Sequence, residues 1–301
     1  MFKERWNTSI FFPPKQYRIL PFNDHGIPWF RTAYDLFYKE MYMDISGETI
    51  SDLVPSEKRQ VKNFTLFYFH GNSADATTST GYCQELGDRI LTELTKLYPN
   101  AFISIAIIIF EYPGYAPDDT FKIKNITPQT ITDYTENVAN YIYRNHSAEN
   151  CIFLGYSIGT GFCVRVLECL RVTGQKEYLK RVILLAPFTN LTELASRHSV
   201  MARMAFSMIS NDAYEYFPTF DTLHNWGQWL PQNSYNVSVI MGGKDVECGW
   251  ANNPFLGLYV HGVIRDADVV PEFNHLQISQ ETERVADIII RDQLTFDGQF
   301  T

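Results

Sequence analysis

Apolar positions along this chain change their period near residue 63. Before that point, apolar and polar residues alternate from Leu36 to Met43, and a Ser46-Gly47 turn precedes Thr49 to Leu53. A two-residue period of this kind predicts two or three antiparallel strands within residues 1–60. Beyond it, short apolar runs alternate with helical periodicity. Thr65–Phe69 reads as a strand, and Gly81–Leu97 as a helix with Leu86, Ile90, Leu94 and Leu97 on one face. Ala101–Tyr112 is rich in Ile without alternation, the mark of a strand buried on both faces. Thr127-Pro128, a cap residue followed by Pro at the first helical position, opens a second helix that aligns Ile131, Tyr134, Val138 and Tyr141. Cys151–Tyr156 is the next strand, and Ser157 begins a third helix with a stripe of Cys163, Val166, Leu167 and Leu170. Arg181–Ala186 and Val237–Met241 are further strands, and Glu281–Leu294 closes the pattern as a helix.

Strands that alternate with amphipathic helices predict an α/β fold, a mostly parallel sheet covered by helices on both faces. The pattern runs as one domain over residues 1–301 and is interrupted once. Asn190–Gln232 carries no clear strand over a length that ordinary connections do not reach. Its Met201, Met204, Phe206, Met208, Trp226 and Trp229 make it apolar, so a helical cap insertion is expected at about 190–232.

One turn in this pattern carries chemistry. Gly155-Tyr156-Ser157-Ile158-Gly159 lies where a strand becomes a helix, the context in which G-x-S-x-G places a serine hydroxyl on a sharp turn at the strand's carboxyl end. A serine hydroxyl is a weak nucleophile until a base takes its proton, and that base needs a carboxylate to hold its tautomer. Both partners are expected after the serine in the chain. His275 lies in a loop after the apolar Ala267–Val270 stretch and before the last helix; His261 is its competitor, and His198 and His224 fall inside the insertion. Asp245 follows Val239-Ile240-Met241 through Gly242-Gly243-Lys244, with Glu247 as the alternative acid. Developing negative charge on a tetrahedral intermediate needs N–H donors. Ile158, the residue after the serine, supplies one; His70-Gly71-Asn72-Ser73, at the end of the first parallel strand, supplies the other through Asn72. His70 itself reads as structural. Glu111-Tyr112-Pro113-Gly114-Tyr115 reads chiefly as a turn over the sheet rim, with Tyr115 available to the pocket.

Composition narrows the partners. The chain has 301 residues, 25 Lys+Arg against 34 Asp+Glu, and a formal net charge of −9. Nucleic acid is therefore not an expected partner, because its recognition demands clustered cations. An apolar fraction of 45% supplies a sizeable core and excludes disorder. Cys83, Cys151, Cys163, Cys169 and Cys248 are odd in number and have no C-x-x-C spacing, which argues against a disulfide framework and a zinc site. A reducing, cytoplasmic location is expected. Ile10-Phe11-Phe12 is stopped by Pro13-Pro14, too short a run for a signal peptide. Ala101–Phe110 is half as long as a membrane crossing requires. Peripheral membrane contact stays compatible with the sequence.

Taken together, His70-Gly71-Asn72, Glu111–Tyr115, Gly155-Tyr156-Ser157-Ile158-Gly159-Thr160-Gly161, Ala186-Pro187-Phe188 and the late Asp245 and His275 resemble the α/β-hydrolase superfamily of serine hydrolases. The resemblance covers roughly residues 34 to 295. Within the superfamily, these signatures and Phe11-Phe12-Pro13-Pro14 are most similar to the α/β-hydrolase domain-containing proteins that include protein depalmitoylases. Unlike the membrane-bound members, the chain has no cysteine ahead of Cys83. The resemblance implies the α/β-hydrolase fold, Ser157 as nucleophile, Asp245 as acid, His275 as base, and Asn72 and Ile158 as oxyanion donors, without cofactor or metal. It implies a carboxylic ester or thioester as substrate, either a small molecule or an acylated protein. A serine peptidase of the same fold and a catalytically silent scaffold are the competing readings.

Overall fold

The Ile-rich run at Ala101–Phe110 occupies the interior of a sheet, as a strand without alternation must. Its Ile103, Ile105, Ile107, Ile108 and Ile109 are all buried. Each such side chain contributes about 1.5–3 kcal/mol of hydrophobic stabilisation. The computed structural model describes residues 29–31, 36–44, 60–72, 74–99, 101–115, 127–190, 217–231, 235–248 and 254–296. Within these, eight strands form one sheet: β1 (Trp29–Arg31), β2 (Phe37–Asp44), β3 (Gln60–Phe69), β4 (Ala101–Phe110), β5 (Cys151–Tyr156), β6 (Val182–Leu185), β7 (Val237–Gly242) and β8 (Asp266–Val270). Their spatial order is β1-β2-β4-β3-β5-β6-β7-β8. Strands β3 to β8 run parallel, whereas β2 is antiparallel to both β1 and β4.

Seven α-helices lie among the described residues: α1 (Thr80–Leu97), α2 (Pro128–Asn145), α3 (Ile158–Val172), α4 (Thr219–Trp229), α5 (Pro254–Val260), α6 (His275–Ile278) and α7 (Thr282–Phe296). Five of them fall into two packed groups, α1 with α7 and α2 with α3 and α4, covering the two faces of the sheet, while α5 packs against α4 and β8 and α6 against β7. Thr127 caps α2 as expected: its side chain accepts from the Thr130 N–H at 3.1 Å, and Pro128 follows at the first helical position. On α1, Leu86, Ile90 and Leu94 are buried, but Leu97 is 39% exposed, because the helix ends there and its last turn leaves the sheet.

Several boundaries differ from the sequence reading. Strand β3 begins earlier, at Gln60, because it extends along the full length of β4. Strand β4 stops at Phe110, since Tyr112-Pro113-Gly114-Tyr115 turns back on itself through a Tyr115 N–H to Tyr112 carbonyl bond. The strand expected near Thr49–Leu53 and residues 191–216 of the expected cap lie outside the described residues. The later part of the expected cap span contains α4. There Leu223 and Trp226 are buried, and the Trp226 indole N–H donates to Glu168 on α3 at 2.7 Å, so α4 is held against a core helix.

This topology locates the site. The chain leaves β3 toward β4 on one side and returns to β5 on the other, so the connections after β3 and β5 diverge at their carboxyl ends. The crevice at such a switch point is where parallel α/β sheets bind ligands.

Candidate active site

The two glycines around Ser157 are required by close packing. A Cβ on Gly155 would meet the Gly159 carbonyl oxygen at 2.8 Å, and one on Gly159 would meet the Phe69 carbonyl oxygen at 2.0 Å. Helix α3 therefore starts tight against the end of β3. To make the turn, Ser157 takes φ 51° and ψ −121°, a left-handed conformation that costs a non-glycine residue about 1–3 kcal/mol. Its N–H donates to the Leu185 carbonyl at 2.9 Å, and its carbonyl accepts from the Thr160 N–H and hydroxyl at 2.9 and 2.7 Å. A serine at this position ordinarily caps its helix. Here the hydroxyl makes no cap bond; it faces His275 instead.

His275 opens the short helix α6, whose Asn274 and Gln277 form a reciprocal capping box that orients the histidine's backbone. The ring spans the gap between two elements. Nε2 lies 2.9 Å from Ser157 Oγ, and Nδ1 lies 2.8 Å from Asp245 Oδ2. The Tyr156 hydroxyl donates to the His275 carbonyl at 3.0 Å and fixes it from below. Asp245 stands just past β7, and its Oδ1 accepts the N–H groups of Glu247 and Cys248, each at 2.9 Å. Burial works to raise the Asp245 pKa, but the His275 hydrogen bond and charge, with the two backbone N–H groups, outweigh it and hold the carboxyl below its ordinary value. Ser157, Asp245 and His275 are all buried.

The structure thus brings together three of the residues singled out in the sequence and sorts their competitors. His261 is exposed, at the end of α5, and His224 lies on α4 beside Gln228 at 2.9 Å. Neither makes a hydrogen bond to Ser157. His198 lies outside the described residues. Glu247 is not on the Nδ1 side of His275 but lies 3.6 Å from Nε2, the nitrogen that faces Ser157.

Asn72 and Ile158 border the same rim. Ile158 is the first residue of α3, where backbone N–H groups lack intrahelical partners. The His70–Asn72 turn packs onto the elbow: a Cβ on Gly71 would lie 2.6 Å from the Tyr156 ring, and one on Gly159 would lie 2.6 Å from the His70 carbonyl. Tyr115 is buried and donates its hydroxyl to Asn72 Oδ1, so it tethers this turn.

A supporting pair escaped the sequence reading. His70 Nε2 lies 3.2 Å from Glu111 Oε1, and both residues are buried. His70 Nδ1 faces the Gly71 carbonyl at 3.0 Å and must donate to it, so a second proton lies between Nε2 and the Glu111 carboxyl. Glu111 Oε2 also accepts the Ala76 N–H at 3.0 Å, which ties the loop after β3 to the end of β4. Burial raises the Glu111 pKa, and the His70 bond only partly offsets it. Glu111 is therefore more than a turn residue. The signal for it was faint: one acid at a strand end, without a visible partner.

A family profile described as steryl acetyl hydrolase matches residues 39–225, more than half of the chain. The chain belongs to the steryl acetyl hydrolase family. The span matched to this family contains the His70–Asn72 turn and the Ser157 elbow, while Asp245 and His275 follow it. No curated protein sequence matches the chain. Three of the many solved structures that share its fold illustrate the likeness. One is an Agrobacterium vitis S4 protein described as a hydrolase, 15% identical with a TM-score of 0.54, matched over 88% of this chain and 98% of its own. Another is α/β-hydrolase domain-containing protein 10 from mouse, 15% identical with a TM-score of 0.51, over 90% and 99%. The third is an esterase/lipase from an uncultured bacterium, 11% identical with a TM-score of 0.52, over 95% and 90%. At these identities the likeness shows the α/β-hydrolase fold. Membership of the steryl acetyl hydrolase family makes this protein a hydrolase of esters. Among the described residues, no helix is long and apolar enough to cross a membrane.

Proposed function

We propose that the protein is a serine hydrolase that cleaves carboxylic esters through an acyl-enzyme on Ser157. The observation that carries this reading is the continuous chain from Ser157 Oγ to His275 Nε2 at 2.9 Å and from His275 Nδ1 to Asp245 Oδ2 at 2.8 Å. In the working tautomer Nδ1 donates its proton to Asp245, leaving the Nε2 lone pair to take the serine proton. Ser157 Oγ then attacks the ester carbonyl, and the oxyanion is held by the N–H groups of Ile158 and Asn72. Collapse expels the alcohol, which receives the proton from His275. Water enters, gives its proton to Nε2 and attacks the acyl-enzyme; a second collapse frees the acid and restores Ser157. No cofactor takes part in these steps.

For the substrate, the family match supports an acetyl ester of a bulky apolar alcohol. Two exposed apolar residues that adjoin the triad in the chain agree with an apolar leaving group: Val246, next to Asp245, and Leu276, next to His275, are 81% and 70% exposed. A thioesterase acting on longer acyl chains, as on an acylated protein, is the second reading; the apolar composition of 190–232 favours it. The test is fluorophosphonate labelling of wild type and Ser157→Ala, followed by steryl acetate, 4-nitrophenyl esters of increasing chain length, acyl thioesters and aminoacyl amides. Ser157→Ala is expected to lose labelling and to lower turnover by about four to six orders of magnitude. Undiminished labelling or turnover refutes the nucleophile. Rates that rise with acyl length and extend to thioesters favour the second reading, and cleavage of amides favours a peptidase.

A further inference from the structure

Beside the ring of His275, in addition to Ser157, Asp245 and Glu247, lies a further side chain that the reaction above does not use. Cys248 is buried three residues after Asp245, and its N–H is bonded to Asp245 Oδ1. One donor atom from each of Asp245, Cys248 and His275 can be chosen such that all three lie within 4.8 Å of one another. We propose that these three side chains form an inhibitory site for a soft divalent cation such as Zn²⁺ or Cd²⁺, which switches the hydrolase off by taking the base's nitrogen. The proposal rests on His275 being the base.

The donor set selects the metal. A thiolate, an imidazole and one carboxylate suit zinc and its heavier relative, whereas Mg²⁺ and Ca²⁺ prefer all-oxygen shells. Zinc bonds of about 2.0–2.3 Å place the ligand atoms of a tetrahedral site roughly 3.3–3.8 Å apart. The cluster must therefore tighten by at most about 1 Å, and the Asp245–His275 contact of 2.8 Å must open by roughly 0.5 Å. Three protein ligands leave the fourth position to water. The Asp245 carboxylate is already held by two backbone N–H groups, so its orientation is set before the metal arrives.

The chemical consequence follows from proton bookkeeping. A neutral imidazole carries one proton. When the cation takes the Nδ1 lone pair, that proton must sit on Nε2, and Nε2 then faces Ser157 as a donor. It can no longer accept the serine proton. The Cys248 thiol gives up its proton to solvent on binding, so one proton is released per metal, and nothing is oxidised or reduced. Capture through Nε2 has the same effect, because it occupies the lone pair that the reaction needs.

The experiment uses purified full-length protein and two readouts. The first is 4-nitrophenyl acetate hydrolysis against added Zn²⁺, then EDTA. The second is the ultraviolet thiolate-to-metal absorption of added Cd²⁺, which requires no activity. Wild type should be inhibited reversibly by Zn²⁺ and not by Mg²⁺. Cys248→Ala, measured against its own metal-free rate, should require at least roughly 10- to 100-fold more Zn²⁺, the range that losing even a supporting partner costs a metal site. Its Cd²⁺ band should disappear, while Ser157→Ala and Cys169→Ala keep theirs. Cys248→Val replaces the alanine variant if that does not fold. Equal Zn²⁺ sensitivity in wild type and the Cys248 variant, or no Cd²⁺ band in wild type, overturns the site. A Cd²⁺ band that persists in a Ser157→Ala protein that remains fully active would instead support the metal site and refute the nucleophile assignment.

Discussion

Gly159→Ala tests the link between packing and chemistry most directly. The added Cβ would lie 2.0 Å from the Phe69 carbonyl oxygen, 2.5 Å from its carbon and 2.6 Å from the His70 carbonyl oxygen. Ordinary contact begins near 3.4 Å, so the start of α3 and the end of β3 must part by more than an ångström. Both sides are backbone, and no flexible side chain can yield. Overpacking of this kind costs about 1–3 kcal/mol, here toward the upper end. The movement also has a direction: it separates Ser157, two residues before the glycine, from Asn72, two residues after His70. A misplacement of about 1 Å costs roughly 100-fold in rate. Gly159→Ala should therefore unfold at lower urea and show kcat/KM reduced by about two orders of magnitude toward 4-nitrophenyl acetate, even where it is fully folded. Gly81→Ala is the control, since nothing lies within 4 Å of its Cβ on α1. That change should stabilise by up to about 1 kcal/mol and leave kcat/KM unchanged. Wild-type stability and activity in Gly159→Ala would refute the reasoning, as would equal losses at both positions.

Other expectations follow from the same geometry. His275→Ala should lose nearly as much turnover as Ser157→Ala, while His261→Ala, on an exposed helix end, should change kcat/KM by less than about twofold; inactivity of His261→Ala would show that the base lies elsewhere. Asp245→Asn should lower kcat by roughly 10⁴-fold, through the wrong imidazole tautomer, with the fold retained. The Asp245 carboxyl titrates below its ordinary value, so its ionised form stabilises the native state above about pH 4, and this contribution is lost as the pH falls further. Urea unfolding of wild type and Asp245→Asn should accordingly show a stability difference at pH 6 that shrinks by pH 3; an unchanged difference would contradict the ionised, hydrogen-bonded Asp245.

The sequence by itself determined the features set by local physics. Hydrophobic period and turn residues placed β5 to the residue and the starts of α2 and α3 to within one, because burying one helical stripe or a continuous strand leaves its pattern in neighbouring positions. Turn chemistry marked the elbow, since only glycine fits where α3 starts against β3. Chain order after the serine left four histidines, of which position in the pattern favoured His275 and His261, and the end of the Val237 strand offered Asp245 and Glu247 as acids. Which of them lie beside Ser157 is a matter of tertiary structure, because it depends on which loop the parallel strands carry to the same rim. Asp245 meets Nδ1 while Glu247 approaches Nε2, although the two acids are only two residues apart. The His70–Glu111 pair and the Tyr156 bond to His275 were equally hidden, joining residues 41 and 119 positions apart. Such contacts leave no periodic trace in a single sequence. They arise when β3, β4, β5 and β7 are aligned side by side, and the folded sheet is what brings those residues within hydrogen-bonding distance.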